Sequence, residues 1–364
     1  MTNRIVWGNL FHRKTRTLMT VLAISVEVAM ILLILGLSDG LVEESAQRKR
    51  GIGADIIIRP SASPSTITTG TNGLPESLIA EIEAIPEVDV AAGTTISLPT
   101  NLQTITGVDW EKLDRMAGGI RFLEGGKFQG PDDLIVDALY AGQKKMKLGD
   151  TLSLLNHNFK LVGVVESGKM SRVFIPLKTM QDLMGWKGEL SQIYVRLKDP
   201  AQTPAMIARL QEKFPDFPIK SMEEFVTLFA AQTRDMASSF VDAIMGIALV
   251  VGFLVVLLSM YTAVLDRTRD IGILKSLGAS PAYIANIFLR ETLWMTLAGI
   301  TLGALITWAA RIAVERMFPL VTILTLDNHV IWAISTAIAA SIGGALYPAL
   351  NAARKDPIAA LSWE

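Results

Sequence analysis

Residues 17–37 read TLMTVLAISVEVAMILLILGL, and residues 243–265 read AIMGIALVVGFLVVLLSMYTAVL. The first stretch is apolar except for Glu27, and the second holds 23 residues without a charge. A helix needs about 20 residues to cross about 30 Å of hydrocarbon. Two further stretches meet that requirement: Thr292–Ala310, with 19 residues, and Val330–Leu350, with 21. One span, about 200 residues of mixed character, then three spans: this spacing predicts an α-helical membrane protein with four transmembrane helices (1+3) and a mixed α/β extracytoplasmic domain inserted between the first and second helices. Half of the 364 residues are hydrophobic. The mean hydropathy of +0.39 fits a polar domain combined with spans.

Basic residues set the expected orientation. Arg4, Arg13, Lys14 and Arg16 precede the first span without an acid; Arg267, Arg269, Lys275 and Arg290 lie between the second and third; Arg354 and Lys355 follow the fourth. The loop between spans three and four carries only Arg311 and Arg316. The positive-inside rule puts both termini and the 266–291 loop in the cytoplasm. Arg48, Lys49 and Arg50 run against this, but long domains translocate largely regardless of charge. The expected division is a cytoplasmic segment 1–16, spans at 17–38, 241–265, 292–310 and 330–350, an outer domain 39–240, a cytoplasmic loop 266–291, an outer loop 311–329 and a cytoplasmic tail 351–364. Gly36-Leu37-Ser38 resembles a signal-peptide cleavage site, but the apolar run is long for a cleaved signal, so an uncleaved anchor is expected.

The outer domain reads as alternating short strands and helices. Strands are expected at Ala54–Arg59, Val88–Ile96, Leu102–Val108, Leu134–Val136, Thr151–Leu155, Phe159–Val165, Val173–Ile175 and Gln192–Leu197. Helices are expected at Pro75–Ile85, with Pro75 in the first turn, at Ala138–Met146, at Pro204–Phe214, and from Met222 into the second span. Ser61–Gly73 reads as a Ser/Thr/Gly-rich loop.

Soluble chemistry finds little support. A net charge of −1 gives no nucleic-acid footprint. No cysteine exists, so there is neither a disulfide nor a thiolate ligand. The histidines are His12, His157 and His329, and His157 reads as a turn residue in Leu155-Asn-His157-Asn. Gly163-Val-Val-Glu-Ser-Gly168-Lys169 matches most of a P-loop, but Met170 stands where magnesium needs a hydroxyl, and the run after it reads as strand. No metal site, catalytic residue or ATPase motif is expected on this chain.

The 266–281 loop carries the strongest local signal. It runs Asp266, Arg267, Thr268, Arg269, Asp270, Ile271, Gly272, Ile273, Leu274, Lys275, Ser276, Leu277, Gly278, Ala279, Ser280, Pro281. Ile271, Leu274 and Leu277 recur every three residues, as on one face of a short helix. Gly278 suits a left-handed end, Ser280 an N-cap and Pro281 the first position of the next helix. Such an element either docks in a partner's groove or lies on the membrane surface. Gly299 and Gly303 form a GxxxG pattern, which permits close helix approach or is a chance pair of glycines. Glu27 stands mid-span, where charge is costly. Three roles are open to it: a protonated acid bonded to hydroxyls such as Ser259 or Thr296, a wet cavity at a dimer interface, or cargo contact.

This loop resembles the signature of the FtsX/MacB-like ABC transporter permeases, which include lipoprotein-releasing and macrolide-exporter types. Gly53-Ala-Asp-Ile-Ile-Ile58, Leu148-Gly-Asp-Thr-Leu-Ser153, Phe159-Lys-Leu-Val-Gly-Val164 and the ending Pro348–Leu361 match it as well, in the same order. The resemblance implies a permease of the bacterial cytoplasmic (inner) membrane, paired with a second permease chain and bound to an ABC ATPase subunit that holds the ATP and magnesium. The loop would be the coupling helix, with Asp266, Arg267, Arg269, Asp270, Ile271, Leu274, Lys275, Leu277, Gly278 and Pro281 as the contact set. Motion would pass to the outer domain by mechanotransmission, for export or lipoprotein release. An accessory periplasmic adaptor protein is a further candidate partner. Sixteen residues before the first span leave no room for a fused ATPase, so a separate one is expected. The alternative is an ATP-driven scaffold that regulates an external cell-wall hydrolase.

Overall fold

The computed structural model describes residues 6–8, 10, 13–61, 73–97, 104–318 and 321–355. The expected loop at 61–73, the start of the 102–108 strand and the end of the Pro348–Leu361 match fall largely outside these residues. The chain divides into two compact units.

One unit holds the membrane-length helices. The helix α1 spans Lys14–Arg50, and four such helices are long and apolar enough to cross a membrane. The other three are Met222–Asp266, Pro281–Met317 and Asp327–Arg354. Their shared core contains Ile24, Val28 and Leu32 from the first, Val256 and Met260 from the second, Ile287 and Met295 from the third and Ala337, Ala345 and Ala349 from the fourth. Small residues let these helices approach. A Cβ at Gly299 would sit 2.6 Å from the Ile24 side chain, and one at Gly303 would sit 2.8 Å from the Ser25 carbonyl oxygen. The GxxxG pair therefore seats the third long helix on the first. Gly344 does the same for the last helix, 2.6 Å from the Phe253 carbonyl.

The other unit comprises residues 41–234 with 318–320. After α1 come β1 (Ile56–Ile58), β2 (Leu74–Pro75), α2 (Ser77–Glu83), β3 (Val88–Ser97), β4 (Ile105–Val108), α3 (Trp110–Met116), β5 (Phe122–Gly125), β6 (Asp133–Asp137), α4 (Ala138–Lys144), β7 (Thr151–Leu154), β8 (His157–Val165), β9 (Val173–Pro176), α5 (Leu177–Met184), β10 (Glu189–Leu190), β11 (Gln192–Leu197), α6 (Thr203–Lys213) and β12 (Ile219–Ser221). The main sheet has the order β12-β1-β11-β3-β4-β9-β6-β8-β5, with β7 paired to β8. Among the described residues, only β4–β9 and β6–β8 are parallel.

The strand β1 is three isoleucines, all buried, because the sheet is covered on both faces there. Ile56 and Ile58 join Leu78, Ile82, Met206 and Leu210 from α2 and α6. Ile57 faces the other way, among Ala46, Tyr194, Met222, Phe225 and Val226. Lys49 lies over the ring of Phe229, 4.3 Å from its centroid, and burial beside Arg48 and Arg59 pushes its ammonium down to about 8.

Local differences from the sequence reading have local causes. Pro75 lies in β2 and pairs with Glu189, so α2 starts at Ser77 rather than in a proline-led turn. His157 opens β8 and pairs with Asp132 at 2.7 Å; Leu155 and Asn156, at φ 53 and 59, make the turn. As the sequence reading expects, the P-loop-like stretch continues into β9 and not into a helix. Its residues cap α1 instead: the Met170 N–H donates to the Arg48 carbonyl at 3.0 Å, and Arg172 donates to Glu44 at 2.6 Å.

Two outcomes test this packing. Gly299→Leu and Gly303→Leu each lower the unfolding midpoint of the detergent-solubilised chain, by about 1–3 kcal/mol of overpacking. Gly246→Ala, where an added Cβ meets nothing within 4 Å, leaves it unchanged or slightly raised. For Lys49 the sign follows from its depressed value. Below about 8 the fold holds a buried ammonium that the unfolded chain leaves in water, and that cost fades as pH rises toward 10.5. Lys49→Met therefore protects β1 and β11 amides from exchange more at pH 7 than at pH 10. A loss of protection at both values would show that the ring contacts outweigh the burial.

Candidate coupling site at the loop between the second and third long helices

The helix α7 (Met222–Asp266) ends one residue before a short helix, α8 (Thr268–Ser276). Arg267 is the single break, with φ −116 and ψ 20. The helix α9 (Pro281–Met317) follows after Gly278, at φ +93, and Ser280, whose hydroxyl accepts the Tyr283 N–H at 3.2 Å. The glycine end, serine cap and proline start lie where the sequence puts them, since each answers to local backbone geometry.

An ion triad fixes the loop to the bundle. Glu291, with no exposed surface, accepts from Arg16 and from Arg267, each at 2.9 Å. Arg13 pairs with Asp266 beside it. The triad joins the start of α1, the N-cap of α8 and the first turns of α9. Lys275 ties the other end of α8 to α10 (Asp327–Arg354): its ammonium donates to the carbonyls of Ala353 at 2.9 Å and Lys355 at 2.5 Å. Those carbonyls have no partner inside their helix, and a cation at that end also meets the favourable pole of the helix dipole. The Lys355 ammonium returns the contact by donating to the Thr268 hydroxyl at 2.9 Å.

The expected contact set thus divides by exposure. Ile271 is buried with Ile284, Ile287 and Phe288, so it holds α8 on α9. Arg267 and Lys275 are engaged inside the unit, and Leu274 is half-buried. Asp266, Arg269, Asp270, Gly278 and Pro281 are exposed. The outward apolar side chains are Leu277, 80% exposed, and Ile273, 44% exposed. An apolar cleft of about 330 Å³ runs between α8 and α9, lined by Asp270, Ile273, Leu274, Ile284 and Phe288 among others. Among the described residues no group of three or more His, Asp or Glu could hold a metal.

The sequence reading passed over Ile273 and Glu291. A signal for Glu291 exists: Ile284, Ile287, Phe288, Glu291 and Met295 share one helical face, so the acid lies on the buried stripe. Glu27 is buried against Gly252 of α7, where a Cβ would collide with the carboxylate. The hydroxyls expected to partner it are used elsewhere. Ser259 bonds Thr20 at 2.6 Å, Thr296 donates to the Thr292 carbonyl, and Glu27 Oε1 has no hydrogen-bond partner among the described residues.

The pattern of the MacB-like periplasmic core domain matches residues 17–213, and that of the FtsX-like permease C-terminal region matches residues 243–357. The chain belongs to the FtsX/MacB-like ABC transporter permease family. Among relatives of this family, the macrolide export ATP-binding/permease protein MacB of Campylobacter jejuni is 24% identical over 99% of this chain and 61% of its own length. The chain therefore spans about three-fifths of that protein. An uncharacterized ABC transporter permease of Bacillus subtilis, YknZ, is 23% identical over 99% of this chain and 98% of its own. The solved periplasmic region of MacB from Actinobacillus actinomycetemcomitans aligns with 49% of this chain and 94% of its own, at 16% identity and a TM-score of 0.38.

The triad gives a sharp expectation for this permease. Glu291→Ala leaves two arginines facing each other without a counter-charge, which costs about 3–5 kcal/mol and is read as a lowered unfolding midpoint in detergent. Replacing Arg16, Glu291 and Arg267 together by Met recovers most of it. An alanine variant as stable as the natural chain would contradict the role given to the triad.

Proposed function

We propose that the chain is the membrane-spanning subunit of an ABC transporter in which a separate ATPase subunit drives the α/β domain through α8. The observation that carries this reading is the fixing of α8. It is held at one end by Glu291 and at the other by the end of α10, it presents Ile273 and Leu277 outward, and it follows directly on α7. The helix α7 is unbroken over 45 residues and starts immediately after β12 of the sheet. A push on α8 therefore acts on a hydrogen-bonded rod whose other end begins at the sheet.

The ATPase binds ATP and magnesium, and this chain contributes no catalytic residue. Support comes from YknZ, which the chain covers nearly end to end and which is named as a permease alone. Two copies of the permease chain, or one copy with a similar chain, face two ATPases. On this reading both termini and α8 face the cytoplasm of a bacterial inner membrane and residues 39–240 lie outside, an orientation that the basic flanks support. The work done there is export or lipoprotein release by mechanotransmission, with a periplasmic adaptor as an accessory.

The test is a gentle purification of the tagged chain from its native membranes, with bound ATPase activity as the readout. Ile273→Asp and Leu277→Asp, on exposed positions, keep the yield and unfolding midpoint of the chain and lose the ATPase. Ile271→Asp lowers the midpoint itself. Copurification that survives both exposed substitutions would overturn the docking assignment. No ATPase with the natural chain would overturn the transporter reading.

A further inference from the structure

Val6, Trp7 and Leu10, before α1, lie against the bundle. Val6 and Leu10 are buried in the same core as Ile24 and Met295. Trp7 lies beside Trp294 of α9, with ring centroids 5.6 Å apart. Between this segment, α1 and α9 lies a second cleft, of about 380 Å³, lined by Trp7, Leu10, Thr17, Val21, Trp294 and Ala298 among others. Its lining is almost entirely apolar.

The depth of the cleft limits what fills it. Thr17 and Thr292 are the first residues of two membrane-length apolar stretches. The lining residues 17–21 and 294–301 begin there and run inward, about 10 Å at the rise of an α-helix. Tryptophans collect at the boundary between hydrocarbon and headgroups, and the Trp7–Trp294 pair marks that level. A cleft with apolar walls opening at that depth meets hydrocarbon, not water.

Two basic side chains stand one turn before lining residues of the cleft, and one of them, Arg290, also donates to the Asn286 side-chain oxygen at 2.7 Å. Lys14 lies one turn before Thr17 on α1, and Arg290 lies one turn before Trp294 on α9; both are exposed. Arg13 and Arg16 are already paired with Asp266 and Glu291, so Lys14 and Arg290 are the cations this face offers. An anionic headgroup would be attracted. We infer that the cleft between the pre-α1 segment, α1 and α9 is a binding site for one acyl chain of an anionic phospholipid, with its phosphate at Lys14 and Arg290.

The experiment uses the full chain in detergent, stripped of lipid and then given phosphatidylglycerol or phosphatidylcholine with identical acyl chains. Native mass spectrometry reads the lipid retained per chain. Phosphatidylglycerol is retained in preference. Lys14→Gln and Arg290→Gln each weaken its retention by about fivefold, the effect of about 1 kcal/mol per basic side chain at a membrane surface, and leave phosphatidylcholine unchanged. Ala298→Phe fills the cleft from an exposed position and reduces retention of both lipids, with an unchanged unfolding midpoint in lipid-free detergent. Leu297→Trp, also exposed, serves as a second filling variant should the first misfold. Equal retention of the two lipids by the natural chain overturns the headgroup assignment. Full retention by a folded cleft-filled variant overturns the site. A change in oligomeric state with lipid retention intact gives the face to a second copy instead and also overturns it.

Discussion

Glu291 has no exposed surface and accepts from two arginines of different helices. A carboxylate removed from water needs its charge met and its lone pairs filled, and Arg16 and Arg267 do both. The same geometry has a mechanical result. Arg16 belongs to the start of α1, Arg267 is the break between α7 and α8, and Glu291 belongs to α9. None of the three elements can shift at that level without exposing or unpairing a buried charge. The direction of α8, and so the presentation of Ile273 and Leu277, is set at this end by the triad and at the other end by Lys275 on α10.

Away from the triad the helices are held by contact rather than charge. Gly299, Gly303 and Gly344 admit close backbone approach where hydrocarbon supplies no hydrophobic drive between helices. Contact of this kind resists sliding, since each glycine sits against one named turn of its neighbour. In the α/β unit the end of α1 is fixed by Arg172 and the Met170 N–H, and the start of α7 packs on Ile57 and Tyr194. Glu27 fits the same logic, since the absence of a side chain at Gly252 leaves room for its carboxyl between α1 and α7.

The four long helices were legible in the sequence because hydrocarbon thickness sets their length and excludes charge. The three-isoleucine strand β1 and the strands β3, β8 and β11 were legible for a similar reason, as β1, β3 and β11 are apolar or small along most of their length and buried nearly throughout. Strands β5 and β12, of four and three residues, and the eight-residue helix α5 are too short for periodicity to register. The orientation of α8 was misread because it is apolar on more than one side. Ile271, Ile273, Leu274 and Leu277 cannot be sorted by spacing over nine residues; the neighbouring α9 decides which is inside. Counted along the chain, Glu291 only borders an apolar stretch; counted around the helix, it lies on the buried stripe with Ile287, Phe288 and Met295. The family resemblance was readable from the order of its motifs, whereas the attachments of α8 to α1 and α10 join residues far apart in sequence and left no local trace.

The central claim is that an event at α8 moves the α/β domain. The chain has no cysteine, so one placed at Lys187, whose side chain is 82% exposed in that domain, gives a single spin-label site. Pulsed electron resonance on the complex with its ATPase would measure the distance between the labels of two permease copies, with and without a non-hydrolysable ATP analogue. The account predicts a distance distribution that shifts when the analogue binds, and no shift when Leu277→Asp is present. An identical distribution in both nucleotide states, from a complex that demonstrably binds the analogue, would contradict it.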